Sequence, residues 1–303
     1  MSQNKITFSR DFSFDFGFVV FGVLFCIVSM LGCSDSKLPK YVDLTELRVL
    51  TLIADLPETD PGSTVNITPV ISDVTETTSL SYEAYGCIDP GVSSGASATC
   101  QGNTTQTLLA QGTLTSATNS EMSQNFTGSA QSFSVTIPSG AVIFSQRSSV
   151  DQYNGVSYLV TYKITNTTGK SVTAFKRIIV SNKASIDKNT NPTINNILSQ
   201  GSALANNALP LNGKFSIQVE LAASAAQSFP FKLSDESIET RTEDIITTWF
   251  ISDGSLKYFR STSQDANEFT APETLPAGRK SFLFSVSRDS RGGVSVKRIC
   301  GGC

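Results

Sequence analysis

Apolar and polar residues alternate with a period of two along much of this chain. Phe215, Ile217, Val219 and Leu221 interleave with Lys214, Ser216, Gln218 and Glu220, which predicts a strand with one face in a core and one in water. The same period runs through Tyr158, Val160, Tyr162 and Ile164, set against Leu159, Thr161, Lys163 and Thr165, and through Phe133, Val135 and Ile137. Around Trp249, Ile245, Thr247 and Ile251 share one face while Ile246 and Phe250 take the other. That strand is therefore expected to be apolar on both sides and central in its sheet. Pro61-Gly62, Asp253-Gly254 and Gly292-Gly293 punctuate the runs as turns. Nothing longer than a turn or two asks to be helical after residue 33.

A weak internal repeat overlays Tyr158–Ile178 on Ser281–Ile299. It sets Ile164 on Val286, Val172 on Val294 and Lys176-Arg177-Ile178 on Lys297-Arg298-Ile299, with one residue skipped between the last two matches. Each copy reads as a hairpin, and each is preceded by a strand opening near a glycine turn and then by an aromatic-bearing strand. Two β domains joined in the polar stretch Ser181 to Pro192 are the simplest explanation, placing the first at 45–182 and the second at 183–303. The length of 303 residues also allows about two domains at roughly 100 to 200 residues each.

Ahead of these lies FGFVVFGVLFCIVSML, Phe16 to Leu31, an uncharged run that reads as an export segment. It ends in Met30-Leu31-Gly32-Cys33, and the small Gly32 directly before Cys33 resembles the lipobox of bacterial lipoprotein signal peptides. The resemblance implies removal of residues 1–32, acylation of Cys33 by fatty acids such as palmitate, and a lipidated tether over 33–44. Ser34 at the position after Cys33, with Asp35 one place later, implies the outer membrane rather than inner-membrane retention. Met30 and Leu31 depart from the preferred leucine and small residue. The alternative is an uncleaved membrane anchor, because Phe16 to Ser34 gives 19 uncharged residues, near the ~20 of a spanning helix.

Composition narrows the chemistry. Charged residues make up 16% and the net charge is -3, so no electrostatic field is available to hold nucleic acid. Histidine is absent, which removes the commonest general base and the commonest ligand of catalytic zinc. With Cys26 leaving in the signal and Cys33 acylated, Cys87, Cys100, Cys300 and Cys303 remain in an oxidising compartment, where four cysteines allow three pairings. Nearest-neighbour pairing, Cys87 with Cys100 and Cys300 with Cys303, is the economical one, the first loop contributing roughly 3 kcal/mol in the chain-entropy model. Cys300-Gly301-Gly302-Cys303 has redox or metal spacing, but it follows a strand at the chain terminus, with no histidine to complete a zinc site.

Short strands in units of this size suit antiparallel sandwiches with Greek-key connections. Here LRVLTLIADLPETDPGSTVNITPVISD (Leu47 to Asp73), LSYEAYGC (Leu80 to Cys87), NEFTAP (Asn267 to Pro272) and VSRDSRGGVSVKR (Val286 to Arg298) resemble the immunoglobulin-like domains of bacterial envelope lipoproteins. The resemblance implies an all-β fold of two tandem immunoglobulin-like sandwiches. It departs at Ala84, where related domains often place a tryptophan. Residues 91–132, rich in Ser, Thr, Gly, Gln, Asn and Ala, read as a polar insertion serving as a spacer or a binding loop, with some extra edge strand.

Candidate chemistry is sparse. Glu236, Glu239, Glu243 and Asp244 read as a solvated acidic loop with no regular calcium-ligand spacing; Asp289 and Arg291 read as hairpin-turn residues, and Trp249 as core. Neither a G-x-S-x-G elbow nor a phosphate-cradling glycine loop occurs. The expectation is a non-enzymatic, lipid-anchored envelope protein with no cofactor or metal, acting in adhesion, ligand binding or structure toward a protein or glycan. A hydrolase with a carboxylate pair on a β scaffold, or a subunit of an envelope assembly, is the alternative.

Overall fold

The turns marked by the sequence are where the backbone needs glycine: Gly62, Gly254 and Gly292 sit at φ of 77°, 93° and 98°, a region that side chains disfavour. Between such turns the alternating segments form strands. The computed structural model describes residues 42–74, 79–91, 98–115, 126–263, 265–275 and 277–303, all within one compact unit, Tyr41–Cys303. The export segment, the lipobox, Cys26 and Cys33 lie outside the described residues, as do 92–97 and 116–125 of the polar insertion.

The chain is all-β. Its first strands are β1 Arg48–Ala54, β2 Glu58–Thr59, β3 Thr64–Ser72, β4 Ser79–Ile88, β5 Thr107–Thr115, β6 Gly128–Ser129, β7 Phe133–Thr136, β8 Val156–Asn166 and β9 Ser171–Val180. Two short helices, α1 Gly140–Ile143 and α2 Ser149–Asn154, sit between β7 and β8. One sheet pairs β1 with β3 and sets β6 and β7 against β3; the other runs β2-β9-β8-β4-β5. The opening segment switches sheets, since β1 is antiparallel to β3 while β2 runs parallel to β9. That exchange, with the antiparallel pairing elsewhere, gives an immunoglobulin-like sandwich.

The later strands are β10 Ile194–Ser199, β11 Ser202–Ala203, β12 Gly213–Leu221, β13 Ser228–Lys232, β14 Ile238–Thr242, β15 Ile245–Ile251, β16 Ser255–Leu256, β17 Arg260–Thr262, β18 Asn267–Ala271, β19 Ser281–Asp289 and β20 Val294–Gly301. They form the sheets β11-β10-β12-β18-β16 and β17-β15-β19-β20, with β13–β14 as a separate hairpin.

Three large apolar clusters lie between these four sheets. Leu52, Ile67 and Val135 face Leu80, Tyr162 and Ile178 in the first; Ile217, Val219 and Phe269 face Trp249, Leu283 and Ile299 in the second. The third joins the two sandwiches: Leu44, Leu50 and Val70 pack on Phe250, Phe282, Phe284 and Val286. β15 is therefore buried on both sides for the reason its sequence suggests, Trp249 entering one cluster and Phe250 another. Polar bonds reinforce the seam, with Arg288 Nη2 donating to the Leu50 carbonyl at 2.9 Å and Asn191 Nδ2 to the Ala54 carbonyl at 2.7 Å.

Both anticipated hairpins form, β8–β9 and β19–β20, with Ile178 opposite Tyr158 and Ile299 opposite Leu283. The overlay of Ile164 on Val286 and of Val172 on Val294 is corrected: Ile164 and Val172 pack on their own sandwich core, whereas Val286 and Val294 face the seam. A shift of one residue sends every side chain to the opposite face, so the repeat matches at Lys-Arg-Ile but at neither valine.

Candidate functional site

The polar insertion is tied down by covalent and side-chain bonds. Cys87, near the end of β4, is joined to Cys100 with a Cα–Cα distance of 5.6 Å, and the bond packs with Ala98 on Leu159 of β8. Asn103 then organises the loop, its Oδ1 accepting from Thr105 N at 2.9 Å while its Nδ2 donates to the Ile88 carbonyl at 3.1 Å. Beyond it β5 adds a nine-residue edge to the sheet, realising the extra edge strand anticipated in this stretch. At the other end of the chain Cys300 is bonded to Cys303, with Cα atoms 5.9 Å apart.

The outward face of β9-β8-β4-β5 carries three transverse rows set by strand register. Leu108, Tyr85, Thr161 and Phe175 form the first; Gln111, Glu83, Lys163 and Thr173 the second; Thr113, Ser81, Thr165 and Ser171 the third. Lys163 Nζ reaches Glu83 Oε1 at 3.1 Å, and the Tyr85 hydroxyl donates to Glu83 Oε2 at 3.2 Å. The Lys163 hydrogen bond holds the Glu83 carboxyl below its ordinary value, and that carboxylate in turn pushes the Tyr85 phenol up. The ion pair divides two shallow grooves. One, of about 300 Å³, is bounded by Tyr85, Thr161 and the disulfide loop through Thr99, Gln101 and Gln106. The other, of about 550 Å³, lies over Ser81, Tyr82, Gln111, Thr113 and Thr165. Hydroxyls and amides with a tyrosine in each groove suit hydrogen-bonded recognition of a polar ligand.

A second concentration of charge is internal. Glu58, its side chain 1% exposed, accepts from Ser181 Oγ at 2.6 Å, Lys183 Nζ at 3.2 Å, Asn189 N at 2.9 Å and Arg291 Nη1 at 3.2 Å. Arg291 also donates through Nε to Glu243 Oε1 at 2.6 Å and through Nη2 to Gln227 Oε1 at 3.1 Å, its guanidinium 4.2 Å from the Phe229 ring centre. Asp289 Oδ1 accepts from the backbone N–H groups of Arg291 and Gly293 and from Asn189 Nδ2.

This arrangement corrects the solvated reading of one acid. Glu236 and Glu239 are exposed on the β13–β14 hairpin, but Glu243 is buried, and its burial pushes its carboxyl up against the opposing pull of Gln227 N and Arg291. The reason is long-range: its cation comes from the β19–β20 turn. Asp289 and Arg291 are turn residues, as expected, but Arg291 also reaches a carboxylate 233 residues away. Nothing local in the sequence announces Glu58 or Lys183. The groove beside Glu243 and Asp244, about 600 Å³, is floored by Ala222, Ala223, Ala225 and Ala226, and the Glu243 carboxylate there is already engaged by Arg291. Among the described residues no group of three or more Cys, Asp or Glu side chains is placed to hold a metal ion, and no helix is long and apolar enough to cross a membrane.

No protein-family model matches the sequence, and no curated protein matches it. Solved structures with some similarity include red sea bream transglutaminase, at 10% identity and a TM-score of 0.23 over 84% of this chain and 32% of that one. Dimeric latent PorU from Porphyromonas gingivalis gives 8% identity and a TM-score of 0.22 over 86% of this chain and 24% of the other. Escherichia coli alpha-2-macroglobulin activated by porcine elastase gives 11% and 0.25 over 86% and 22%. This chain spans about a third or less of the length of each.

Proposed function

We propose that this chain is a lipid-anchored protein of the bacterial envelope, held at the outer membrane through Cys33, whose two tandem sandwiches present a non-catalytic binding surface. The reading is supported chiefly by the outward face of β9-β8-β4-β5, where a disulfide-stapled loop and three cross-strand rows offer hydroxyls, amides, two tyrosines, the exposed Leu108 and Phe175 and one ion pair on a rigid sheet. Its ligand is a glycan or a polar protein surface. The buried carboxylates Glu58 and Glu243 serve internal donors and contribute nothing to this face.

Two experiments test the parts separately. Cys33→Ala is expected to abolish fatty-acid labelling and leave unprocessed precursor; normal labelling in that variant refutes the anchor. Glycan-array and envelope pull-down binding is expected to be lost in Tyr85→Ala and Lys163→Ala while their thermal melting stays cooperative. Undiminished binding in both variants refutes the assignment of the face.

A further inference from the structure

A different surface carries a second kind of contact. The segment Lys257-Tyr258-Phe259-Arg260 places two adjacent rings in the open, Tyr258 at 51% and Phe259 at 55% exposure. Lys257 lies 5.2 Å from the Tyr258 ring centre and Arg260 5.4 Å from that of Phe259. The loop is held out rather than loose. Asn267, itself buried, accepts from Tyr258 N at 3.0 Å and donates to the Tyr258 carbonyl at 2.8 Å. Lys257 N donates to the Glu268 carbonyl at 2.9 Å, and the Phe259 carbonyl accepts from Trp249 N at 3.0 Å. Four backbone groups are thus satisfied, and the rings have been kept out of the core immediately behind them.

The local charge is modestly positive. Lys214 is paired with Glu268 at 3.3 Å, and Asp265 accepts from Thr262 Oγ1 at 2.7 Å. Among the described residues, neither Lys257 nor Arg260 makes a salt bridge. Rings flanked by free cations match the interface of a bilayer, where aromatic side chains settle at headgroup depth and cations find phosphate.

The position of the loop selects the membrane over other occupants. Along one edge of β15, Trp249 N bonds to Phe259 O; two residues further, Ile251 bonds to Val42 O through its N–H at 3.0 Å and to Leu44 N through its carbonyl at 2.8 Å. The described chain therefore starts beside the two rings. Cys33 lies nine residues before Val42, a reach of at most about 30 Å. We infer that Tyr258 and Phe259 seat in the interfacial layer of the bilayer that carries the Cys33 lipid, with Lys257 and Arg260 on the phosphates of acidic phospholipids. This inference rests on the lipid-anchor reading and adds an orientation: the Lys257–Arg260 edge faces the lipid, while the β13–β14 hairpin, at the opposite end of β15, points away.

The test is depth quenching of the acylated full chain in vesicles of phosphatidylethanolamine and phosphatidylglycerol carrying brominated acyl chains. Trp249, the single tryptophan, is fully buried and sets the background. Tyr258→Trp is expected to be quenched roughly twofold or more above that background, whereas Ile238→Trp, on the β13–β14 hairpin, is not. Adding Lys257→Glu and Arg260→Glu to Tyr258→Trp, or using phosphatidylcholine alone, is expected to reduce the quenching. Equal quenching at both positions, or none at Tyr258→Trp, overturns the inference, and protection of Tyr258 by a co-purifying protein would assign the loop to a protein partner instead. Mass spectrometry of Cys33 in the same preparation reports on the anchor separately. Acylation without quenching sinks only the loop, and quenching of an unacylated chain sinks only the anchor.

Discussion

Arg291 contacts two carboxylates, a glutamine, a backbone carbonyl and an aromatic ring, and all five groups come from segments far from its own turn. Removing a guanidinium from such a site leaves Glu58 and Glu243 buried without it, so Arg291→Ala is expected to cost about 3–5 kcal/mol in chemical denaturation. A loss below about 1 kcal/mol, the range of exposed pairs, would show the network to be solvated. Lys176 responds to pH instead. It is buried in β9, and its Nζ donates to the Gly292 carbonyl of the opposite sandwich. Burial pushes its ammonium down to about 8, with Asp289 opposing and Arg288 reinforcing the shift. Because the folded value lies below the ordinary 10.5, holding the charge costs stability below pH 8, and that cost fades as pH rises toward 10.5. Denaturation midpoints are expected to climb over that window in the native chain, relative to Lys176→Met; parallel curves would contradict it.

Between neighbouring strands, bulk on one answers space on the other. Ala84 and Gly86 of β4 sit opposite Tyr162 and Val160 of β8, while Trp249 of β15 sits opposite Ser285 of β19. Tyr162 fills the room left by Ala84 and stacks on Tyr82 and Phe133 at 5.6 and 6.0 Å. The tryptophan that Ala84 lacks is thus replaced by aromatic volume from the partner strand, which a reading of β4 alone could not supply. At Gly86 a Cβ would lie 2.5 Å from the Tyr158 hydroxyl oxygen, on the buried face. Gly86→Ala is expected to displace that ring and cost about 1–3 kcal/mol, measured by thermal melting. A neutral effect would show that Tyr158 can swing aside freely. The alternation in β12 was legible because one of its faces meets water. That in β19 misled the repeat because both its faces are buried, so apolar side chains no longer tell one from the other.

Among the described residues, the four large sheets enclose three layers of apolar contact, and the middle layer belongs to neither sandwich alone. Separating residues 45–182 from 183–303 would expose Leu50, Val70, Phe250, Phe282 and Phe284 and strand Glu58 from Arg291. Each fragment is therefore expected to melt at a lower temperature than the intact chain, and mixing the two is expected to recover part of the difference. Fragments as stable as the whole would show the seam to be energetically idle. The alternating strands, their glycine turns and both closing hairpins follow from residues near one another in the chain, and these the sequence determined by itself; for the cysteines it allowed three pairings, of which the nearest-neighbour one forms. What covers an apolar face, which acids are buried with which cations, and which polar rows line up across β9-β8-β4-β5 depended on segments as much as 238 residues apart. Only the tertiary structure decided them, because periodicity marks a face for burial but carries no record of the surface that will meet it.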